Sequence, residues 1–292
     1  MERLTGRTAL VTGASRGLGR HIAGALASEG MDVVLAARSA GPLRELAAAL
    51  EGACGVRATA VPADLTVRGE VEELARSAED EQGGVDVLVN NAGVTNSWPY
   101  HLRNPEEIGR GVELNLLAPM LLARRLLPGM VERGRGHVVN MASLAGKAGP
   151  PYEAVYGATK AGLIGFTQSL RREYHDTDVG ASAICPGYVR GTGMYADGVE
   201  ETGVEAPKRV GRTTPDDVAR AVVRAVREDV PEILVNSTPV RPMLVLSEAS
   251  PRLGEWMGRA LGLFRAFERG AERAMEDADD GSPETPGAAP EG

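Results

Sequence analysis

The segment Thr8-Ala-Leu-Val-Thr12 is followed directly by Gly-Ala-Ser-Arg-Gly-Leu-Gly19 and then by residues with helical periodicity. A short apolar run of this kind predicts a buried strand. Gly13, Gly17 and Gly19 permit a tight turn, close approach of the backbone to a ligand, and close packing of a helix on the strand. Free N–H groups and a partial positive charge at the start of that helix suit a pyrophosphate. The segment therefore predicts a Rossmann-type strand–loop–helix unit that binds a dinucleotide.

The glycines alone are weak evidence, because the chain contains 37 of them and an ordinary turn between strand and helix has a similar composition. The spacing Gly-x-x-x-Gly-x-Gly also differs from the more common Gly-x-Gly-x-x-Gly. The position of the loop straight after the first strand favours the nucleotide-binding interpretation. We therefore predict cofactor contacts from the loop residues Gly13, Ser15, Arg16, Gly17, Leu18 and Gly19.

Short apolar runs alternate with helical patterns from residue 8 to about residue 236. Runs such as Val85-Asp-Val-Leu-Val89 are typical of strands inside a parallel sheet that helices cover on both faces. The repetition predicts an α/β fold, with a doubly wound Rossmann-type parallel sheet of about seven strands and helices on both faces. The predicted strands are Thr8–Thr12, Asp32–Ala37, Arg57–Pro62, Asp86–Asn90, His137–Ala142, Gly180–Cys185 and Glu232–Asn236.

The sequence changes character after residue 237, which divides the chain into three predicted regions. Residues 1–237 carry the strand–helix repetition, and 238–273 form a C-terminal extension in which Pro239 and Pro242 break the chain before one amphipathic helix, Pro251–Arg273. Residues 274–292 hold six acids, no base and three prolines, so we predict a disordered acidic tail.

The predicted amphipathic helix has three possible roles. Its apolar arc includes Trp256, Phe264 and Phe267, a large area to leave in water. The helix could wall a substrate pocket, either beside the long 188–212 connection or across a subunit boundary. It could instead cover sheet or core, or lie on a membrane surface. A small basic excess and the acidic residues after it disfavour the membrane.

Composition excludes several classes of protein. The formal charge of −8 disfavours nucleic-acid binding, which needs a basic face. Two cysteines and four scattered histidines lack metal-ligand spacing, so we predict no metal. We expect no membrane span, because no stretch approaches ~20 apolar residues. The N-terminus lacks the organisation of a signal peptide, so we expect a soluble cytoplasmic protein.

The sequence Tyr156-Gly-Ala-Thr-Lys160 places a phenol and an ammonium on one face of a helix. A phenol is a poor proton shuttle near neutral pH, and an adjacent ammonium lowers its pKa toward that range. The chain has six tyrosines and only three lysines, so a chance surface pair at this spacing is improbable. Ser143, thirteen residues before Tyr156, follows the fifth predicted strand, where a helix cap is the alternative role.

These residues occur in order with Asn90-Asn-Ala-Gly93, Asn115 and Pro186-Gly187, and together they resemble the short-chain dehydrogenase/reductase family over roughly residues 5–236. The resemblance implies hydride transfer between a nicotinamide cofactor and a small-molecule carbonyl or alcohol. It implies that Tyr156 is the general acid/base and that Lys160 lowers its pKa and holds the nicotinamide ribose. Ser143 would bind the substrate oxygen, and Asn115 would anchor a water that relays protons.

The same resemblance implies further cofactor contacts. They comprise Asp64 and Leu65 at the adenine, Asn91, Ala92 and Gly93 along the cleft, and Pro186, Gly187 and Val189 at the nicotinamide. Family members place a threonine where this chain has Gly191, so the contact of the next residue, Thr192, is open. The family's glycine-rich ending is replaced by Asn236-Ser-Thr-Pro239, which puts the usual end-to-end subunit contact in doubt.

Cofactor choice follows from the end of the second predicted strand. An acid there binds the ribose 2′-OH of NAD, whereas this chain has Ala37 followed by Arg38. Arg16 adds a second guanidinium, and two arginines without a carboxylate favour the 2′-phosphate of NADP, with NAD possible. The resemblance also implies a homodimer or homotetramer. The alternative to an enzyme is a catalytically silent, nucleotide-sensing regulator on the same fold.

Overall fold

A computed structural model describes residues 4–95 and 97–279 of the chain. Seven strands form one parallel sheet in the order β3-β2-β1-β4-β5-β6-β7. Each observed strand end lies within one residue of its prediction, because the apolar runs in the sequence coincide with the buried parts of the strands. The strands are β1 Thr8–Thr12, β2 Asp32–Ala37, β3 Ala58–Pro62, β4 Val87–Asn90, β5 Gly136–Met141, β6 Val179–Pro186 and β7 Glu232–Val235.

Helices cover both faces of this sheet. One face packs through residues such as Ile22, Leu43 and Val222, and the other through residues such as Leu74 and Leu122. The predicted doubly wound α/β fold is therefore confirmed. The helices of the sheet region are α1 Gly17–Ser28, α2 Ala40–Cys54, α3 Arg68–Gln82, α4 Pro105–Val112, α5 Ala118–Glu132, α6 Ala145–Ala148, α7 Ala154–Glu173, α8 Met194–Thr202 and α9 Pro215–Glu228.

Strand order reverses beside β1, since β2 lies on one side of it and β4 on the other. The connections that leave the carboxyl ends of β1 and β4 therefore run to opposite sides of the sheet and open a crevice between them. In open α/β sheets ligands bind in this crevice. The chain segments after β1, β4, β5 and β6 all reach this edge of the sheet.

One helical run, Pro105–Glu132, is long and apolar enough to cross a membrane by length and composition alone. Leu122, Leu126 and Met130 on this run are fully buried in the core cluster that packs on the sheet. The run therefore serves as a core helix in this fold. Its middle, Glu113–Leu117, widens into one π-helical turn between α4 and α5.

The C-terminal extension forms three helices, α10 Arg241–Ala249, α11 Pro251–Ala260 and α12 Leu263–Asp279. The prediction of one helix over Pro251–Arg273 is wrong, because Gly262 adopts a φ of 74° and separates α11 from α12. Pro242 does not break the chain but lies in the first turn of α10, where the missing N–H of proline has no cost.

The predicted tail begins later than residue 274, because α12 continues through Asp279. Residues 280–292 of that tail lie outside the described residues. The three C-terminal helices pack chiefly on one another, on α6 through α10, and on α8 through α12. Since α6 follows β5 and α8 follows β6, these helices lie at the edge of the sheet formed by the carboxyl ends of its strands.

Candidate active site

The glycine loop closes tightly against the start of α1. Gly13 has a φ of 66°, and a Cβ there would lie 2.9 Å from the Cα of Ala92. A Cβ at Gly19 would lie 2.1 Å from the carbonyl oxygen of Gly13, so any larger residue would push the helix away from the loop. Arg16, the N-cap residue of α1, makes no side-chain cap hydrogen bond, which leaves the first-turn N–H groups for a phosphate. This cradle fits the pyrophosphate of a dinucleotide.

Thr12 joins the glycine loop to the segment after β4. Its hydroxyl oxygen accepts hydrogen bonds from the backbone N–H groups of Asn91 and Ala92, each at 3.0 Å. The side-chain amide of Asn91 donates in return to the Thr12 carbonyl at 2.9 Å. The two walls of the crevice are therefore held together at the end of β1. Sequence reasoning assigned Thr12 only to the strand, since its neighbour across the crevice is 79 residues away.

At the far end of the crevice, Asp64 accepts hydrogen bonds from the backbone N–H of Thr66 at 2.9 Å and from its hydroxyl at 2.8 Å. Burial alone would raise the pKa of Asp64. The Thr66 hydrogen bonds and the nearby guanidinium groups of Arg38 and Arg110 outweigh burial and lower that pKa. The crevice therefore combines an ionised carboxylate with an exposed Arg38 just after β2. Arg110 on α4 is a neighbour that the sequence did not indicate.

Arg16 reaches across the crevice to α8. Its guanidinium forms an ion pair with Asp197 at 2.9 Å, and its side chain is mostly exposed. Thr192 lies on the same side, since a Cβ at Gly17 would be 3.7 Å from the Thr192 hydroxyl oxygen. The structure thus places Thr192 beside the glycine loop, whereas the sequence had left open whether this residue contacts the cofactor. The structure pairs Arg16 with a carboxylate of the 188–212 connection.

Tyr156 and Lys160 lie one turn apart on α7. The Lys160 ammonium donates a hydrogen bond to the carbonyl oxygen of Met141 at 2.7 Å and lies 5.5 Å from the centroid of the Tyr156 ring. Burial lowers the pKa of Lys160 to about 8. The ammonium is therefore fixed to the end of β5 while it remains next to the phenol.

Ser143 lies on the other side of the phenol. Its hydroxyl accepts a hydrogen bond from the backbone N–H of Ala145 at 3.0 Å and lies close enough to the phenol to affect the pKa of Tyr156. Burial raises the pKa of Tyr156, and the Glu153 carboxylate raises it further, while the Ser143 hydrogen bond opposes both. This direction is opposite to the lowering expected from Lys160, because burial and a nearby negative charge prevail. The phenol is therefore protonated at neutral pH and available as a proton donor.

Asn115 lies in the π-helical turn, a feature that often marks functional sites. Its amide binds both backbone groups of Val94: the Val94 N–H donates to Asn115 Oδ1 at 2.8 Å, and Asn115 Nδ2 donates to the Val94 carbonyl at 2.9 Å. A Cβ at Gly93 would lie 3.0 Å from Asn115 Oδ1 and 3.5 Å from Lys160 Nζ. Asn115 thus holds the segment after β4 against the buried lysine. Its proposed link to a water stays a prediction.

The segment after β6 closes the remaining wall. The Pro186 carbonyl accepts from the backbone N–H of Leu144, next to Ser143, at 3.0 Å. A Cβ at Gly187 would lie 2.7 Å from Asn236 Oδ1, so β6 and the end of β7 meet closely here. Val189 is buried and bridges to Thr213.

A single cavity of about 1290 Å³ runs along all of these elements. Of the predicted site residues, Gly17, Gly19 and Asn115 are not part of its lining; Gly19 and Asn115 are buried, and Gly17 is half-buried. Those that line it are Gly13, Ser15, Arg16, Leu18, Arg38, Asp64, Leu65, Asn91, Ala92, Gly93, Ser143, Tyr156, Lys160, Pro186, Gly187, Val189 and Thr192.

Glu153 is a buried carboxyl group that sequence reasoning missed. It accepts hydrogen bonds from Thr95 Oγ1 at 3.0 Å and from Ser97 Oγ at 2.9 Å. Burial raises the pKa of Glu153, although these hydrogen bonds and the charge of Arg103 oppose the rise. The only sequence signal was its position three residues before Tyr156, which puts the two side chains on neighbouring positions of a helix face.

Tyr188, which follows β6, also lines the cavity and was not predicted as a site residue. Its ring packs on that of Tyr195, with centroids 4.9 Å apart. Burial raises the pKa of Tyr188, and the charges of Glu153 and Tyr195 raise it further. The cavity wall after β6 therefore carries two packed aromatic rings, although the pattern of the 188–212 connection gave no such indication.

Comparison with known proteins matches this geometry. A family model described as short chain dehydrogenase matches residues 7–202. The chain is 42% identical over 282 residues to the ketoacyl reductase HetN of Nostoc sp., which covers 95% of this chain and 96% of that protein. It is 36% identical over 211 residues to the oxidoreductase UcpA of Escherichia coli, covering 72% and 79% of the two chains.

Solved structures show the same fold. A metagenomic short-chain oxidoreductase in complex with NADP superposes with a TM-score of 0.69 at 36% identity, covering 81% of this chain and 99% of that chain. An alcohol dehydrogenase from the archaeon Thermococcus sibiricus, complexed with 5-hydroxy-NADP, gives a TM-score of 0.69 at 28% identity, covering 80% and 97%. Since the family match extends from β1 to β6 and relatives above 30% identity cover most of the chain, the protein belongs to the short-chain dehydrogenase/reductase family of NAD(P)-dependent oxidoreductases.

Proposed function

We propose that the protein reduces the carbonyl group of a small molecule with NADPH and that Tyr156 donates the proton. The observation that carries this proposal is that Ser143, Tyr156 and Lys160 line the same cavity as the glycine loop, with the Lys160 ammonium 5.5 Å from the centroid of the Tyr156 ring. When bound, the reduced nicotinamide supplies a hydride, which forms the new C–H bond at the carbonyl carbon. The carbonyl π electrons move to oxygen, and the Tyr156 hydroxyl proton forms the O–H bond.

The remaining residues support that proton transfer. The Ser143 hydroxyl donates to the substrate oxygen and stabilises the negative charge that develops there. The Lys160 ammonium, held by Met141 and 5.5 Å from the centroid of the Tyr156 ring, provides a positive charge for the phenolate that Tyr156 becomes. A protonated phenol in the resting site supports the reducing direction, because a general acid must hold its proton before the step.

The preference for NADP belongs to the same proposal. Arg38 lines the cavity beside Ala37, where an NAD site has a carboxylate. Two similar structures are complexes with NADP or an NADP analogue, which supports the choice. NAD remains the alternative cofactor.

The ketoacyl reductase HetN is similar to this chain over nearly its whole length, including the C-terminal extension. We therefore propose a ketoacyl compound as the substrate. Purified protein is incubated with 3-oxoacyl thioesters, simple ketones and secondary alcohols, with NADPH and NADH in parallel, and nicotinamide absorbance is followed. Turnover of a 3-oxoacyl thioester with NADPH supports the proposal. Turnover confined to other carbonyls rejects the ketoacyl assignment.

Glu153→Gln tests the electrostatic role of the buried carboxylate. The Glu153 charge raises the pKa of Tyr156, so its removal lowers that pKa. Alcohol oxidation needs the phenolate, and its rate rises with pH through this pKa. We therefore expect the pH profile of kcat for oxidation to move to lower pH in Glu153→Gln. Carbonyl reduction, which needs the neutral phenol, should lose its alkaline activity at lower pH.

The matched control is Glu173→Gln, which removes an exposed carboxylate at the other end of α7. Its pH profile should coincide with that of the wild type. A Glu153→Gln profile that does not move, or moves to higher pH, would contradict the assigned effect of the charge.

We further propose a cytoplasmic homodimer or homotetramer, in which the helical run that contains Asn115 and the helix α7 that contains Tyr156 meet their copies, as the family resemblance implies. Light scattering at micromolar concentration should give two or four times the 30.6 kDa mass of one chain. A mass of one chain throughout a dilution series would refute the proposal.

A further inference from the structure

The C-terminal helices line the cavity instead of covering the core. α10 packs on α6, which follows Ser143, and α12 packs on α8 of the 188–212 connection. A helix that covers core buries its large apolar side chains. Here the buried residues described in α10–α12 are small: Gly258, Ala266 and Ala271.

Several large apolar side chains of these helices are half-buried and line the cavity, whereas Leu246 and Trp256 are exposed and do not line it. On α12, Phe264, Phe267, Gly270 and Ala274 recur at helical period and line one side. Met243 and Leu244 of α10 and Met257 of α11 line the cavity as well. These residues supply an apolar surface that continues beyond Tyr156.

The volume of the cavity supports a ligand larger than a nucleotide alone. Its 1290 Å³ exceeds the ~300–1,000 Å³ of ordinary ligand sites. The glycine loop, Arg38 and Asp64 account for one end, and the C-terminal helices form another part of the lining. The Arg259 guanidinium lies 5.7 Å from the centroid of the Phe264 ring, and Arg241, Glu248 and Glu255 also line the cavity. Beside these polar groups, the methionine and phenylalanine side chains offer a surface that suits a flexible hydrocarbon.

We propose that the space between Tyr156 and α10–α12 is an aliphatic-chain site, which makes the substrate a carbonyl compound with a long hydrocarbon tail. The proposal rests on the proposed reductase function and adds the chemistry of the tail to it. Chain and carbonyl would come from one molecule, either an acyl thioester or a free alkyl ketone. The apolar lining favours a long hydrocarbon tail over a short one. The experiment below distinguishes an acyl thioester from a free alkyl ketone.

Gly270→Leu tests the site by filling it. No described atom lies within 4 Å of a Cβ at Gly270, and the position belongs to the cavity-lining face of α12. Leucine also favours the helix over glycine by about 1 kcal/mol, so the fold should not weaken. The matched control is Gly52→Leu on α2, which likewise has open space and does not line the cavity.

The measurement is kcat/KM for four- and twelve-carbon substrates, as 3-oxoacyl thioesters and as 2-alkanones. Burial of one methylene is worth about fourfold in binding, so burial of only three or four of the eight extra methylenes should make wild type prefer twelve carbons by about 100-fold or more. Gly270→Leu should reduce kcat/KM for the twelve-carbon substrates at least about tenfold and change the four-carbon values less than about twofold. Gly52→Leu should behave as wild type.

Equal kcat/KM for both lengths in the wild type, or an equal loss at both lengths in Gly270→Leu, would overturn the chain site. A length preference seen only with 2-alkanones would retain the chain site and reject the ketoacyl substrate. Calorimetric binding of 1-dodecanol and 1-butanol to the full chain provides a second measurement that needs no turnover. Tighter binding of dodecanol that Gly270→Leu weakens supports the site, and no difference between the two alcohols rejects it.

Discussion

Tyr156→Phe is expected to lower kcat for carbonyl reduction by about 10²- to 10⁴-fold, the range that a positioned general acid contributes. The change removes one hydroxyl and leaves the ring in place over Lys160. The nucleotide cradle of Gly13, Gly17 and Gly19 is not altered, so the dissociation constant for NADPH should stay within about twofold. The measurements are steady-state kinetics for turnover and fluorescence titration for NADPH.

Tyr188→Phe is the matched control, because Tyr188 lines the same cavity and would lose the same hydroxyl, but it lies outside the helix α7 that carries Lys160. It should lose much less activity than Tyr156→Phe. Near-wild-type turnover in Tyr156→Phe would remove the proton donor from the proposed mechanism. An equal loss in both variants would indicate damage to the cavity wall instead of loss of the donor.

Cofactor preference should reverse in the double variant Ala37→Asp with Arg38→Ala. Loss of the guanidinium removes charge-assisted hydrogen bonds to a 2′-phosphate, and the new carboxylate accepts from the 2′-hydroxyl of NAD. Hydrogen bonds to charged groups contribute about 1.5–3 kcal/mol, so the ratio of kcat/KM for NADPH over NADH should fall by about 10- to 100-fold or more. Arg44→Ala, at an exposed site on α2 that does not line the cavity, should leave the ratio unchanged.

The assignment also has a test in the unaltered protein. A higher kcat/KM with NADH than with NADPH in the wild type would overturn the NADP preference. A double variant that loses activity equally with both cofactors would show that Ala37 and Arg38 support the crevice without selecting the phosphate.

The sheet was predictable because each buried strand is a short apolar run in the sequence. β1 and β2 have the predicted ends, since both are apolar runs bounded by polar or glycine residues. The cofactor crevice followed from the same information, because its residues lie at the carboxyl ends of those strands. Tyr156 and Lys160 were identified by their spacing, and Ser143 by its place after the fifth predicted strand together with the family resemblance; all three line one cavity in the structure.

Residues that depend on distant partners were not predictable. Glu153 is a buried carboxylate only because Thr95 and Ser97, more than fifty residues earlier, donate to it. The rise in the pKa of Tyr156 could not be predicted either, because its largest cause is burial of the phenol. The sequence shows the helical neighbour Lys160 but not that burial.

The C-terminal break illustrates a different limit. Gly254, Gly258 and Gly262 recur at one spacing, and nothing local distinguishes the third from the other two. Only Gly262 adopts a positive φ in the structure, because α12 turns there to meet α8. Pro242 was ambiguous for a similar reason, as proline ends one helix and begins another equally well.

The attachment of α10–α12 after the last strand makes the architecture modular. The family match ends at residue 202, before these helices begin, while the similarity to HetN continues through most of them. The helices rest on α6 and α8 and share no hydrogen-bonded register with the sheet. Evolution can therefore exchange or reshape these three helices to suit a substrate with a different hydrocarbon chain, while the residues that serve hydride transfer are inherited unchanged.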